Sequence, residues 1–269
     1  MSISQQKFAI NINLLSQCFY LCRQNAHEKF GLSSPLPHVI HMKNETNIHT
    51  LCIETFSAIV SSVCHDLKNN LAIINESVGL LSDFATMMED DTGIPSKRVT
   101  PTVSSINRQV VRADTIIKNL SRFAHSNDIP LSATNIKETL SLIKILSHRK
   151  AAAQEHTVTI ICDNGLNITT AVIIFETVIY RILCHLYDIS PPKNNFDISA
   201  ATTCENIVIT FAPEQRLSCL EEVLLKKEPH ALATQLEADM EIKNNAVELT
   251  LPLLLMDRQK CCNANTEMA

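Results

Sequence analysis

The stretch that decides the fold is Ile53–Met88, IETFSAIVSSVCHDLKNNLAIINESVGLLSDFATMM. Its apolar residues recur mostly three or four positions apart, which is the spacing of one face of an α-helix. No proline interrupts the pattern. We therefore predict one long amphipathic helix over these residues. Its predicted inward stripe is Phe56, Val60, Val63, Leu67, Leu71, Ile74, Val78, Leu81 and Met88.

A second long helix is predicted after a break that contains Gly93, Pro95 and Pro101. Pro101 suits the first turn of that helix, where its missing N–H is not needed. Two antiparallel helices of this kind cannot bury both apolar stripes by themselves, so we expect two copies to form a dimeric four-helix bundle. The second inward stripe is Val103, Ile106, Val110, Ala113, Ile117, Leu120 and Ala124.

After Pro130 the pattern changes to alternating helices and strands, which indicates a second domain and an α+β fold class. We predict a helix over 132–156, a strand over 157–162, a helix over 169–190, a strand over 205–212 and a hairpin over 240–255 with KNNA as its turn. The expected domains are an N-terminal segment of no assigned role (1–49), the helical hairpin (50–128), the α+β domain (129–258) and a tail (259–269).

Composition excludes several function classes. The formal net charge of -5 argues against a nucleic-acid partner, because such proteins present basic surfaces. Only 4 of the 269 residues are glycine, and loops that wrap phosphates need glycine for close backbone approach. The sequence accordingly has neither a P-loop nor a GxGxxG motif.

The ten cysteines mostly stand singly in apolar patterns and lack zinc-site spacing, so we expect no metal site. No apolar run approaches the roughly 20 residues of a membrane span, and the start lacks the features of a signal peptide. From these observations we expect a cytoplasmic protein without a membrane span.

The stretch CHDLKNNL, residues 64–71, contains the candidate chemistry. Successive helical residues turn by about 100°, so His65 faces outward if Val63 and Leu67 face inward. An exposed imidazole has a reference pKa of about 6.5 and is largely neutral at pH 7, so it can act as a nucleophile. Asn69 lies one turn beyond His65 on the same face.

CHDLKNNL resembles the phosphoacceptor box of two-component histidine kinases, and IIKNLSRFAHSND is similar to the end of the second helix in their dimerisation and phosphoacceptor domain. The resemblance covers residues 50–128. It implies that His65 carries a phosphoryl group and that Asp66 assists as a hydrogen-bond acceptor or base. It also implies that Asn69 orients a hydrolytic water and that Lys68 meets the phosphoryl charge or an acidic pocket of the partner.

Residues 129–258 resemble the ATP-binding domain of the same family, but the residues at its nucleotide-binding positions differ. His185 stands at the magnesium-holding asparagine and Arg181 at an earlier asparagine of the same box. Phe211 stands at the adenine-reading aspartate and Pro213 near the first glycine, and no glycine-rich lid follows. The resemblance therefore implies a degenerate ATPase-like α/β sandwich that uses no ATP or magnesium cofactor.

The favoured function is a two-component phosphorelay protein, either a histidine phosphotransferase or a degenerate sensor histidine kinase. It would exchange phosphoryl groups between His65 and an aspartate of a response-regulator receiver domain, and it would act as a homodimer. Two alternatives stay open. One is an active ATP-dependent histidine kinase with a diverged nucleotide site, and the other is a non-catalytic dimeric scaffold.

Overall fold

The computed structural model describes residues 48–86, 96–203, 206–217, 220 and 228–253. The predictions for the N-terminal segment up to residue 47 and for the tail lie outside the described residues. Within them, two long helices come first: α1 (Ile48–Thr86) and α2 (Ser96–His125). They run antiparallel, because the Phe56 and Phe123 rings stack at 6.2 Å near one end while Arg98 covers the Phe84 ring near the other.

The chain then forms the α+β fold that the sequence predicts. The elements after α2 are β1 (Ser132–Asn135), α3 (Ile136–Ala153), β2 (Thr157–Cys162), β3 (Asn167–Thr170), α4 (Val172–Ile189), β4 (Asn195–Thr202), β5 (Asn206–Pro213), α5 (Glu228–Gln235), β6 (Asp239–Lys243) and β7 (Ala246–Pro252).

Five strands form one mixed sheet in the order β2-β4-β5-β7-β6. Only the β2–β4 pair is parallel, and α4 supplies the crossover that a parallel pair requires. The β6–β7 hairpin turns at Asn244 and Asn245, whose φ angles of 51° and 66° suit a two-residue turn with positive φ at both positions. The predicted strand over 157–162 and the KNNA turn are confirmed.

One face of the sheet builds the core. Ile207, Ile209 and Phe211 alternate along β5 and are fully buried, as period-two patterning requires. Helices α3 and α4 contribute Leu140, Ile143, Ile179 and Leu183 to the same apolar cluster, and Ile59 and Phe123 of the hairpin belong to it as well. The hairpin and the sheet unit therefore share one continuous core.

The prediction of a helix over 132–156 is wrong for its first four residues. Residues 132–135 form β1, which pairs antiparallel with β3, and the helix begins at Ile136. Asn135 ends the strand and caps the helix, since its side chain accepts a hydrogen bond from the backbone N–H of Glu138 at 3.0 Å. The predicted helix over 169–190 likewise begins late, at Val172, because Thr169 and Thr170 belong to β3.

The second helix of the hairpin also differs from prediction at its start. It begins at Ser96, so Pro101 lies in its second turn and not in the first. Proline has no N–H to donate, so the carbonyl of Lys97 loses the hydrogen bond that residue 101 would ordinarily make to it. The helix continues through this position.

The predicted inward stripes of the hairpin are correct only in part. On α1 the buried residues are Leu51, Thr55, Ile59, Val63, Asn70 and Ser77, with Leu67 half-buried. Leu71 and Val78, predicted to face inward, are 43% and 50% exposed. On α2, Val103, Val110 and Ile117 are exposed as well. A hairpin of two helices has only one mutual contact line, and the second apolar line has no partner among the described residues.

Asn70 is the unexpected residue inside this contact. It is only 2% exposed, and its Nδ2 has no hydrogen-bond partner among the described residues. A buried donor without a partner costs about 1–3 kcal/mol. On α2, buried side-chain atoms of Gln109 and Asn119 are unpaired in the same way.

We expect Asn70→Leu to raise the free energy of unfolding by about 1–3 kcal/mol, because it removes the unpaired donor and adds apolar burial. Chemical denaturation of the whole protein measures the change. Asn75→Leu, at an exposed position of the same helix, is the control and should change stability little. A loss of stability in Asn70→Leu would show that the amide makes a bond essential to the fold.

Candidate functional site

His65 lies on the outer face of α1. Val63 is buried against α2 and Leu67 is half-buried, so the imidazole between them is directed to solvent with its side chain 48% exposed. The outward orientation expected from helical spacing is therefore observed. An exposed imidazole on a rigid helix is accessible to a protein partner of any size.

Two polar side chains contact the His65 ring at one nitrogen. Asn69 Nδ2 lies 3.3 Å from His65 Nδ1, one helical turn away, and Asp66 Oδ1 lies 3.7 Å from the same atom. Asn69 Nδ2 is a donor, so this contact is a hydrogen bond only while Nδ1 carries a lone pair. The carboxylate of Asp66 favours the other tautomer, with a proton on Nδ1. In that tautomer the Asn69 amide presents its oxygen to Nδ1, and the lone pair lies on Nε2, the outer nitrogen of the ring.

Lys68 is exposed one turn from His65 on the same side of the helix. Its ammonium group can therefore reach an anion held at the imidazole. The structure thus brings together His65, Asp66, Lys68 and Asn69, as expected for consecutive residues of one helix. The role of each residue stays a prediction.

A cleft lined by both polar and apolar side chains adjoins this group, and sequence reasoning missed it. It has a volume of about 290 Å³ and lies between α1, α3 and α4. Ser61 and Ser62 line it from the turn of α1 that precedes His65, while Arg149 and Lys150 of α3 line the other side. No local pattern could reveal this cleft, because its walls come from positions nearly ninety residues apart.

Tyr180 of α4 closes the cleft and is buried. Burial raises the pKa of its phenol above the ordinary value, so it remains a neutral hydroxyl group at physiological pH. Lys150 pairs with Asp188 at 2.7 Å. The cleft therefore combines hydroxyl groups with two cationic side chains, of which Lys150 is already paired.

Arg181, which the sequence resemblance places at the nucleotide box of the kinases, forms ion pairs with carboxylates of this chain. Its side chain is 12% exposed, and its guanidinium contacts α1 and α5. His185 lies one turn further along α4, and burial lowers the pKa of its imidazole. Glu228 lies close enough to oppose that shift.

The other two substituted positions lie in β5. Phe211 is fully buried in the sheet core, and Pro213 ends the strand. Phe211 presents a phenyl ring and Pro213 a pyrrolidine ring at these positions.

His125 lies at the end of the second hairpin helix and pairs with Asp128 at a distance of 2.8 Å. It is exposed in the last turn of α2, where the helix dipole favours a positively charged side chain. Within the described residues, no group of three or more histidine, cysteine, aspartate or glutamate side chains is arranged to hold a metal ion.

By length and composition alone, α1 is apolar enough to cross a membrane, with one window of mean hydropathy 1.2. Its first turns nevertheless contact charged and hydroxyl groups of α4, such as Arg181. The core helix of a folded protein passes the same test of length and composition. The expectation of no membrane span stays a prediction.

The sequence matches no family profile and none of the curated proteins compared with it. The similar solved structures include histidine kinases. The kinase AdeS of Acinetobacter baumannii is 12% identical, with 70% of this chain and 98% of that chain covered and a TM-score of 0.42. The catalytic domain of ThkA is 9% identical, with 48% and 100% covered and a TM-score of 0.41.

The complex of histidine kinase ThkA with response regulator TrrA is 11% identical, covers 75% of this chain and 63% of that chain, and has a TM-score of 0.39. TM-scores of 0.39 to 0.42 are too low to transfer roles between residues. We therefore base the functional proposal on this chain's own residues.

A buried carboxyl group connects the hairpin to α4. Glu176 is 2% exposed, and burial raises its pKa to about 7, although Ser126 and the charge of Arg122 oppose the shift. Its Oε2 has no hydrogen-bond partner among the described residues. Glu176 is therefore a polar group held at the junction between α2 and α4 at a cost in stability.

We expect this glutamate to make stability depend on pH. The pKa of Glu176 in the folded protein is raised above the ordinary 4.5, so ionisation of this carboxyl group opposes folding. The resulting loss of stability is absent below about pH 4.5 and complete above about pH 7. Glu176→Gln should remove this loss, which amounts to about 3 kcal/mol across that window. Denaturation at pH 5 and pH 8 measures it, with the exposed Glu155→Gln as control. Equal pH dependence in Glu176→Gln and in the wild type would contradict the assignment.

Proposed function

We propose that this chain is a phosphorelay protein of two-component signalling, in which His65 exchanges a phosphoryl group with the aspartate of a response-regulator receiver domain. The observation that supports this most is the exposed His65 ring, whose polar neighbours Asp66 and Asn69 both contact Nδ1. In the tautomer that Asp66 favours, with the proton on Nδ1 and the Asn69 amide presenting its oxygen, the nucleophilic lone pair lies on Nε2, where a receiver can approach it.

The proposed transfer balances without any co-reactant. His65 Nε2 attacks the phosphorus of the receiver's acyl phosphate, the P–O bond to the aspartate breaks, and the aspartate leaves as a carboxylate. The ring now bears both the phosphoryl group and the Nδ1 proton, so it is positively charged. Asp66, 3.7 Å from Nδ1, stabilises that charge, and Lys68 attracts the phosphoryl oxygens. The reverse reaction returns the phosphoryl group to a receiver.

We further propose that the chain uses neither ATP nor magnesium. Where the resembled kinases present an asparagine and an aspartate, this chain presents the paired Arg181 and the buried Phe211. A cation already engaged by carboxylates is a poor ligand for a second cation, and a buried phenyl ring cannot accept a hydrogen bond from adenine. The phosphoryl group would therefore come from a receiver.

A test offers the protein two phosphoryl donors: a labelled phosphorylated receiver, and γ-labelled ATP with magnesium. We expect label from the receiver on the wild type and none on His65→Gln, with no label from ATP on either. The label should be acid-labile and base-stable, as a phosphoramidate is. Asp66→Asn should slow transfer, because it weakens the acceptor at Nδ1. Asn69→Ala should mainly reduce hydrolysis of the receiver phosphate.

The outcomes separate the alternatives. Label from ATP that disappears in His65→Gln would establish an active kinase. No label from either donor, or equal labelling of His65→Gln and wild type, would leave the chain as a scaffold with an unused histidine. Circular dichroism should show that His65→Gln keeps its fold, because the exposed side chain buries little surface.

We also propose that the chain forms a homodimer through the second apolar line of the hairpin. Val103, Val110 and Ile117 of α2 recur every seven residues and are exposed, as are Leu71 and Val78 of α1. A seven-residue repeat of exposed apolar residues is typical of helices that pack against further helices. A second copy offers the same two lines and closes a four-helix bundle.

We expect Val110→Asp to convert the dimer into folded monomers, because Val110 is exposed within a single chain and buried only between two. Sedimentation velocity at micromolar concentration measures the change. The control is Ser104→Asp, which places the same charge at an exposed polar position about 120° around the helix from Val110 and should leave the dimer intact. A wild type that sediments as a monomer would overturn the proposal.

A further inference from the structure

Arg181 uses nearly all the donors of its guanidinium to join three elements. Its Nε donates to Thr55 Oγ1 at 3.0 Å, and its Nη2 donates to the carbonyl of Leu51 at 3.0 Å. The same Nη2 pairs with Glu54 at 2.9 Å, and Nη1 pairs with Glu228 of α5. Three of these four partners lie on the first turns of α1, the helix that presents His65.

The neighbouring positions of α4 face the hairpin as well. Thr177 lies 3.8 Å from the sulfur of Cys52, and Glu176 lies beside Ser126 at the end of α2. Thr177 and Arg181 are one turn apart and share one side of α4, and Glu176 is the residue beside Thr177. We call this part of α4, formed by Glu176, Thr177 and Arg181, the hairpin-facing seam. It is polar although it is mostly buried.

The cleft beside His65 lies between the elements that this contact joins. Tyr180, next to Arg181, forms one wall of it, and Ser61 and Ser62 of α1 form another. If α1 moved away from α4, these two walls would separate. The seam is thus what keeps the cleft assembled one turn from the imidazole.

We propose that Arg181 is a positioning residue that holds α1 against α4 and α5, so that His65 and the adjoining cleft form one preassembled surface. Apolar contacts alone permit sliding, whereas a planar guanidinium bonded to a carbonyl, a hydroxyl group and two carboxylates defines one register. The consequence for receiver binding rests on the proposed function, but the positioning itself does not.

The first experiment measures hydrogen exchange of the full-length protein. Arg181→Met keeps the apolar stem and removes every donor. We expect amides of α1 between Leu51 and Ile59 to exchange at least tenfold faster, while β5 exchanges as in the wild type. Arg122→Met is the matched control, because Arg122 also joins the hairpin to the second unit, but its ion pair is with the exposed Glu138, at 3.0 Å, and it acts on Glu176 only through its charge. It should leave the exchange of those α1 amides unchanged.

Unchanged exchange over Leu51–Ile59 in Arg181→Met would overturn the proposal. If that variant fails to fold, Glu228→Ala decides, because it removes only the half-buried partner on α5. Faster exchange confined to α5 and the start of α1 would then support positioning, and wild-type exchange would contradict it. Arg181→Lys, which keeps one charge and loses the planar fork, should fall between the wild type and Arg181→Met.

The second experiment measures phosphoryl transfer from a labelled receiver as a function of receiver concentration. We expect Arg181→Met to raise the half-saturating concentration severalfold and to leave the maximal rate nearly unchanged, because His65, Asp66 and Asn69 are intact. A lower maximal rate at an unchanged half-saturating concentration would contradict positioning. If the wild type transfers no label, the proposed function fails, and the exchange result still decides the role of Arg181.

Discussion

The structure depends on the constraint that α1 must pack against two different surfaces along its length. Its first turns lie against α4, where Leu51 and Thr55 are buried and bonded to Arg181, and its middle and end lie along α2. A helix of 39 residues is about 58 Å long, far more than one small sheet unit can cover. His65 lies just beyond the contact with α4, so a residue of the hairpin is presented beside groups of the second unit.

Polar groups are retained at both of these contacts, at a cost in stability. Asn70 is buried between α1 and α2 without a partner for its Nδ2, and Glu176 is buried where α2 meets α4. Apolar residues at these positions would give a more stable single chain. Asn70 and Glu176 lie at the two contacts on which the position of His65 depends. Buried polar groups can specify one packing register among several, and that is a consistent reason for their presence here.

Much of the fold follows from local patterns in the sequence. The spacing of apolar residues over Ile53–Met88 predicts α1, alternation predicts β2 and β5, and the two asparagines at 244–245 predict the turn of the last hairpin. Four elements were not predicted: β1, β3, β4 and α5. Strands β1 and β3 have four residues each and form only because they pair with each other across more than thirty positions, which no local window contains. Strand β4 does alternate, with Phe196 and Ile198 buried, so its signal was present and was overlooked.

The sequence by itself determined that His65 is exposed, because the helical period places it opposite Val63 and Leu67, and that Asp66, Lys68 and Asn69 lie near it, because all four share one helix. Only the tertiary structure decided which apolar line of the hairpin is buried within the chain, since both lines satisfy the same period. It also decided what Arg181 does. Its partners Leu51 and Thr55 lie more than 120 positions away, and a guanidinium selects its carbonyl and carboxylate partners only after packing brings them within hydrogen-bond distance.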